Sequence, residues 1–284
     1  MPLTVVDRCD TFRKVLDAER ASGRRVGLVP TMGALHAGHL SLIGRAAQEC
    51  DAVAVTLFVN PLQFGPSEDL AAYPRDHEGD RTKAADAGAS YLFAPAEQEM
   101  FPEATRTTVR VGQLSERYEG EKRPGHLDGV ATIVTKLLSL AGPCTTYFGE
   151  KDFQQLTIVR QLVRDLSLPA RVVGCATVRE PDGLALSSRN AYLSAEERLA
   201  APVLHRALRA GRDAIERDRV SDPAEIQRIM AETVGAEPHL SLDYAEVVRA
   251  DDLSPLASVT GDIRLLIAAR FGRGRLIDNM GATA

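Results

Sequence analysis

The sequence predicts an α/β protein, a doubly wound, parallel, Rossmann-like sheet with a second, smaller α+β domain after it. Three observations lead there. Up to about residue 178, short β-branched runs alternate with helix-length amphipathic stretches, the pattern of a parallel sheet covered by helices. Beyond Asn190 the order changes to helices followed by strands, as in a small α+β unit. The length, 284 residues, suits two ordinary domains better than one minimal module.

RVGLVP, Arg25 to Pro30, is the first strand, and Leu40 to Cys50 carries a helical period after it. AVAVTLFVN, Ala52 to Asn60, is almost wholly apolar, as suits a strand buried on both faces. The helix Glu78 to Ala87 and the strand SYLFA, Ser90 to Ala94, follow. The helix Val130 to Ala141, the strand TTYF (Thr145 to Phe148), the helix Phe153 to Leu166 and the strand RVVGCATV (Arg171 to Val178) complete the alternation. A boundary at Val178 gives domains 1–178 and 179–284. In the second, Ser194 to Arg219 reads as one long amphipathic helix opened by Ser194-Ala-Glu-Glu, and Pro223 to Val234 as another. Leu242 to Val248, Ile263 to Ala268 and Arg275 to Ile277 read as strands.

Composition narrows the function. The chain is 44% hydrophobic and 26% charged, the balance of a soluble globular protein. A formal charge of -5 argues against a dedicated nucleic-acid binder, so any cationic site is local. Cys9, Cys50, Cys144 and Cys175 are scattered without a C-x-x-C pair and read as reduced thiols of a cytoplasmic protein. MPLTVVDRCDTFRKVL lacks the basic leader and apolar core of a secretion signal, and no apolar run reaches membrane-spanning length, so neither export nor a membrane anchor is expected.

Parallel sheets bind ligands beyond the carboxyl ends of their strands, which makes TMGALHAGH, NPLQFG, GEKDFQQ and REPDGLALSSRN the informative loops. In the first, Gly33 and Gly38 permit close backbone approach to an anion at a helix N-terminus. His36 and His39 can donate to phosphate oxygens and stabilise charge growing on phosphorus. A zinc site would need a third ligand that no H-E-x-x-H or cysteine set supplies, and a structural role is the competing account for either ring.

In GEKDFQQ, Asp152 and Gln155 fit the N-cap and N3 of a capping box, while Lys151 at a strand end can reach a phosphate. Ser187, Ser188 and Arg189 supply two hydroxyls and a guanidinium fork for a polyphosphate, or else a polar surface loop. Asn60 and Gln63 both donate and accept, which suits a hydroxyl or carboxylate, with Asn-Pro turn chemistry as the alternative. RPGHLDG, Arg123 to Gly129, is a glycine-proline loop able to close over a site.

PTMGALHAGH, FVNPLQFG, YPRD, RPGHLDGVATIVTKL, YFGEKDFQQL and LALSSRN, in that order, together resemble the pantothenate synthetases, pantoate and β-alanine ligases of the nucleotidyltransferase superfamily. The hallmark of that superfamily, H-x-G-H, is here His36-Ala-Gly-His39. The resemblance covers most of the first domain, with a fainter continuation to the end. It implies a homodimer built through the first domain and a reaction in two steps. Pantoate carboxylate attacks the α-phosphorus of ATP, giving pantoyl adenylate and pyrophosphate; the β-alanine amine then attacks the acyl carbon and releases AMP and pantothenate. Mg2+ accompanies the ATP.

Carried over by position, the resemblance implies that Met32, Gly33, Ala34, Leu35, His36, Ala37, Gly38 and His39 line ATP, with His39 and His36 at the reacting phosphate. Gly149, Glu150, Lys151 and Asp152 would hold ribose and phosphates, Lys151 being the main cation at the α-phosphate. Val178 would meet adenine through its backbone, and Leu186, Ser187, Ser188 and Arg189 would close on the triphosphate. Gln63 and Gln155 would clamp pantoate, with Asn60 in support and Gln63 also meeting β-alanine. Asp80 is the implied magnesium ligand. The first domain would then bind ATP and pantoate and the second close over the site. Leu186, Phe153 and Asp76 stand where the family has methionine, tyrosine and threonine.

Two rival readings stay open on the residues alone. One is another nucleotidyltransferase with a phosphate as acceptor; the neutral Gln63 and Gln155 suit a monocarboxylate better. The other is a nucleotide-binding module without catalysis, which would not need His36, His39, Lys151 and Arg189 together.

Overall fold

Two elements outside the sequence-based expectation begin the chain. TVV is too short to show a period, yet β1 (Thr4–Val6) pairs in the sheet, and α1 (Cys9–Ala21) buries only Phe12, Leu16 and the carboxylate-bearing Glu19. Phe12 stacks on Phe93 with ring centroids 4.2 Å apart, which fixes α1 to the sheet. The computed structural model describes residues 3–65, 70–71, 73–272 and 274–284. YPRD and HEGD lie within them, except that Ala72 before YPRD does not.

The alternation then runs β2 (Val26–Thr31), α2 (Ala37–Glu49), β3 (Ala52–Leu57), α3 (His77–Asp86), β4 (Tyr91–Phe93), α4 (Glu97–Met100), α5 (Glu119–Lys122), α6 (His126–Ala141), β5 (Cys144–Gly149), α7 (Phe153–Asp165) and β6 (Ala170–Cys175). All strand pairs are parallel, in the order β1-β4-β3-β2-β5-β6. Every residue of β3 is buried, as its unbroken apolar run requires. β3 stops at Leu57 rather than Asn60, because Asn60 caps the 3-10 turn Pro61–Gln63 that turns the chain out of the sheet. Val29, Ile43, Val55, Leu92 and Tyr147 form the centre of the core, each large side chain stabilising by about 1.5–3 kcal/mol on burial.

The chain moves from β2 to β3 on one side and later returns to β5 on the other. The strand order therefore reverses between β2 and β5, the topological switch point where such sheets open a crevice. TMGALHAGH leaves from one side of it.

Contacts divide the molecule into two units. One is the chain up to Glu150 together with Gln154–Ala176; the other is Thr177–Ala284 together with Lys151–Phe153. A single boundary at Val178 leaves that three-residue segment with the first part, and the contacts assign it to the second.

The second unit contains α8 (Ala195–Ala200), α9 (Val203–Glu216) and α10 (Pro223–Gly235), followed by the antiparallel strands β7 (Ser241–Arg249), β8 (Asp262–Phe271) and β9 (Gly274–Thr283). The single helix expected over Ser194 to Arg219 is two helices. Pro202 has no N–H to donate and its ring obstructs the preceding turn, so α8 ends before it and α9 starts after it. Ser194 and Glu197 close a reciprocal capping box at the start of α8. Leu204, Ala207, Leu208, Gly211 and Ile215 form the buried stripe of α9. β9 runs well past Ile277, pairing with β8 as far as Thr283, although the apolar signal breaks at Asp278. Among the described residues no helix is long and apolar enough to cross a membrane, and all four cysteines are free. Burial raises the thiol pKa of Cys9 and Cys175, and that of Cys144 to about 12.

Candidate active site

In the first unit the site starts at the end of β2. Thr31 Oγ1 donates to Thr56 O at 2.6 Å and accepts from Gly33 N at 3.2 Å, anchoring the turn to β3. Gly33 and Ala34 then adopt φ of 91° and 52°, left-handed values that reverse the chain sharply before α2. The successive amides of Ala34 and Leu35 converge on one carboxylate: Asp80 Oδ2 accepts from Ala34 N at 2.8 Å and Oδ1 from Leu35 N at 2.7 Å. Asp80 is 2% exposed and sits in the first turn of α3. These two amides thus hold Asp80 and brace the turn that leads into α2. Asp80, the implied magnesium ligand, is held here as the brace of that turn. Each of its oxygens accepts one amide hydrogen and keeps a second lone pair, so the brace is compatible with a contact to magnesium carried on a nucleotide.

His36 is the N-cap of α2. Its Nδ1 accepts from Gly38 N at 3.1 Å, and its own N–H donates to His39 Nδ1 at 3.4 Å, so each imidazole meets a backbone donor through Nδ1. With Nδ1 accepting, the neutral ring carries its proton on Nε2. The two rings lie 4.2 Å apart between centroids, tilted by 41°. The helix-end amide of Gly38 therefore serves an imidazole, and the ring in turn presents a donor.

The loop after β3 is tied to α6. Asn60 is 1% exposed; its Nδ2 donates to Gln63 Oε1 and to Gly129 O, both at 3.1 Å, and its Oδ1 accepts from Leu62 N at 3.3 Å. Gln63 Nε2 lies 2.8 Å from Met32 Sδ, which joins this loop to the turn after β2. At Gly129 a Cβ would sit 2.1 Å from Leu62 O, so only glycine allows α6 to approach so closely. RPGHLDG is not a covering loop: His126 to Gly129 form the first turn of α6. His126 Nδ1 donates to Gln63 O at 2.8 Å, leaving Nε2 to accept from Arg123 Nη1 at 2.8 Å. Gln63 is thus held by its side chain and its backbone.

The two glutamines of GEKDFQQ part company. Gln154 is buried, accepts from Glu119 N at 3.1 Å and donates to Leu114 O and Arg117 O at 2.8 Å. Gln155 is half-buried on α7, and its amide makes no hydrogen bond among the described residues. The half of the expected capping box in which that amide reaches back to Asp152 N is not formed among the described residues.

In the second unit REPDGLALSSRN forms a tight hairpin. Arg179 bridges Ala185, Glu180 N donates to Leu184 O at 2.8 Å, and Leu186 N donates to Val178 O at 3.0 Å. That last bond occupies one lone pair of the Val178 carbonyl. Ser187 Oγ then accepts from Arg189 N at 3.2 Å, and the half-buried Arg189 guanidinium has no partner among the described residues. Asp278 and Asn279 lie outside the motifs and Arg179 opens one of the informative loops without being singled out, yet Arg179 forms a bidentate pair with Asp278 at 2.6 and 2.9 Å. Lys151 Nζ lies 3.6 Å from Asp152 Oδ1, and Lys151 O accepts from Asn279 Nδ2 at 2.8 Å. Lys151, Ser187, Asn190, His205 and Asp278 line one small pocket with Leu184 and Leu204 among its apolar walls. Asn190 Oδ1 is buried there without a partner among the described residues, an acceptor for a ligand donor.

Comparison with known proteins points one way. The sequence model of the family described as pantoate-beta-alanine ligase matches residues 4–281. The chain is 50% identical to the pantothenate synthetase of Rubrobacter xylanophilus and 44% identical to that of Caldicellulosiruptor bescii, covering 98% of both chains in each case. Among solved structures, the pantothenate synthetase of Thermus thermophilus superposes with a TM-score of 0.93 at 48% identity, over 99% of this chain and 100% of that one. The pantoate-beta-alanine ligase of Francisella tularensis, complexed with beta-gamma ATP and beta-alanine, gives 0.80 at 32% identity, over 98% and 97%.

Proposed function

The chain belongs to the pantoate-beta-alanine ligase family, and from that premise we propose a division of the chemistry among its residues. It is an ATP-dependent ligase that joins pantoate to β-alanine. In the first step a pantoate carboxylate oxygen forms a bond to the α-phosphorus of ATP while the bond to the bridging oxygen of pyrophosphate breaks. In the second, the β-alanine nitrogen bonds to the acyl carbon, the acyl–phosphate bond breaks, AMP leaves and the nitrogen gives up its proton. The first step brings an anion toward a polyanion, so its barrier falls when donors are fixed around the phosphate in advance.

One observation carries the assignment of that role to His36 and His39. Both rings take a backbone N–H at Nδ1, which leaves the proton of each neutral ring on Nε2 and orients it as a hydrogen-bond donor. Lys151 supplies a mobile cation at the α-phosphate, and Ser187, Ser188 and Arg189 bind the remaining phosphates. Met32 to His39, Gly149, Glu150, Asp152, Val178 and Leu186 complete the nucleotide contacts. Gln63, braced by Asn60, and Gln155 bind the hydroxyl and carboxylate groups of pantoate without adding charge. Mg2+ enters as the ATP complex, coordinated by phosphates, while Asp80 braces the turn after β2 with one amide on each oxygen. A cytoplasmic homodimer completes the reading, and the mass in solution tests its second half.

Exchange of labelled pyrophosphate into ATP is the test. It should depend on pantoate and fall by roughly 10²-fold or more in His39→Ala and in Lys151→Ala. Exchange that ignores pantoate, or near-normal rates in either variant, would overturn the assignment.

A further inference from the structure

We propose that Asp278 and Asn279 of β9 are positioning residues for adenylation, one holding the hairpin that leads to Ser187–Arg189 and the other the backbone of Lys151. The proposal rests on the reading of Lys151 and Arg189 as phosphate-binding groups. Successive side chains of a strand point to opposite faces, so adjacent residues can grip two different segments. Asp278 holds the Arg179 guanidinium through two hydrogen bonds, and the same guanidinium donates to Gly183 O at 3.0 Å and to Asn279 O at 3.4 Å. Arg179 and its bridge partner Ala185 form the hairpin stem, and Ser187 follows two residues later. The pair therefore fixes the base from which the serine–arginine segment projects.

Asn279 does the equivalent for the lysine. Its Nδ2 donates to Lys151 O at 2.8 Å, and its Oδ1 accepts from Arg264 Nε at 2.7 Å and from Nη2 of the same guanidinium. That guanidinium lies 3.7 Å above the Phe153 ring. Lys151–Phe153 is therefore gripped at its first residue and at its last.

The sheet itself does not call for these polar groups. Asp278 and Asn279 are 4% and 3% exposed, and they stand opposite Ile267 and Leu266, where apolar residues would pair as well. Both are satisfied by the segments they hold, and Lys151, Ser187 and Asp278 line the same pocket. Misplacing a charged group by about 1 Å can cost ~10²-fold in rate, which is the advantage of fixing the two backbones from one strand.

A double-mutant cycle on pyrophosphate exchange tests this. Asn279→Leu should slow exchange by ~10-fold or more in the otherwise unaltered enzyme, but by less than about 2-fold in a Lys151→Ala background, because it acts through the lysine. Arg264→Lys, which loses the fork on Asn279 and the stacking on Phe153, should show the same pattern if Asn279→Leu does not fold. Asp278→Asn should raise the KM for ATP, and do so much less when Arg189 is already alanine. Equal slowing in both backgrounds marks a merely structural residue and overturns the proposal, as does an unaltered rate. If Lys151→Ala alone exchanges normally, the underlying reading of the lysine fails instead, and the two failures are told apart.

Discussion

Asp80→Asn separates two possible jobs of one carboxylate. Asp80 accepts one amide hydrogen on each oxygen, at 2.8 and 2.7 Å, in a position only 2% exposed. Asparagine keeps one acceptor and turns its NH2 toward the other amide, donor against donor. A lost charge-assisted bond and a buried unpaired N–H together come to about 3–5 kcal/mol. Ala34 adds to this, since its φ of 52° is a conformation that non-glycine residues hold only with outside support. At about 2–4 °C per kcal/mol for a domain of this size, Tm should fall by roughly 6–20 °C. Thermal unfolding with and without magnesium, beside turnover titrated with magnesium, is the assay. The brace predicts a lowered Tm that magnesium does not restore and an unaltered magnesium requirement in whatever activity remains. An unaltered Tm with a requirement raised ~10-fold would show a metal ligand and refute the reasoning.

Three further outcomes are expected. Gln155→Ala should raise the KM for pantoate with little change in Tm, because its amide holds nothing among the described residues; an unaltered KM with a lowered Tm would return it to a capping role. Gly129→Ala would place a methyl group 2.1 Å from Leu62 O and 2.7 Å from Gln63 N, so the turn must move and Gln63 with it. A Tm loss corresponding to about 1–3 kcal/mol and a raised pantoate KM should appear, and a variant with wild-type KM would show that the close approach does not position Gln63. His205 has its pKa lowered by burial and then by Arg179, with Asp278 opposing and Arg209 and Arg212 adding to the shift. The unfolded chain then takes up the proton first, so this stability is full above about pH 6.5 and is lost as pH falls through that value toward the lowered one. His205→Gln should flatten the Tm difference between pH 8 and pH 5.5; a slope equal to the wild type's would place the titration elsewhere.

The parallel sheet was legible because burial on both faces leaves an unbroken apolar run, as in β3, and because helices must separate such strands. Loops after strands were legible as loops for the same topological reason. The break at Pro202 was written in the chain, and the amphipathic stripe on either side of it concealed the change. Asp80 was harder: its partners Ala34 and Leu35 lie far back in the chain, and a carboxylate that braces a turn has the same sequence signature as one that binds metal. Asp278 and Asn279 look like a strand ending, since a buried polar pair is recognisable only once Arg179 and Lys151 are beside it. Gln154 and Gln155 are alike in sequence, and only the helix phase makes one a buried strut and leaves the other's amide unengaged.

The affiliation of Lys151–Phe153 with the C-terminal unit bears on how such enzymes can be shuffled. A crossover anywhere between residues 176 and 278 would inherit the lysine from one parent and its asparagine clasp from the other. Chimeras of distant homologues should therefore work where the parent supplying the second part carries an asparagine at the position of Asn279, since the carbonyl it holds is backbone and comes with either parent.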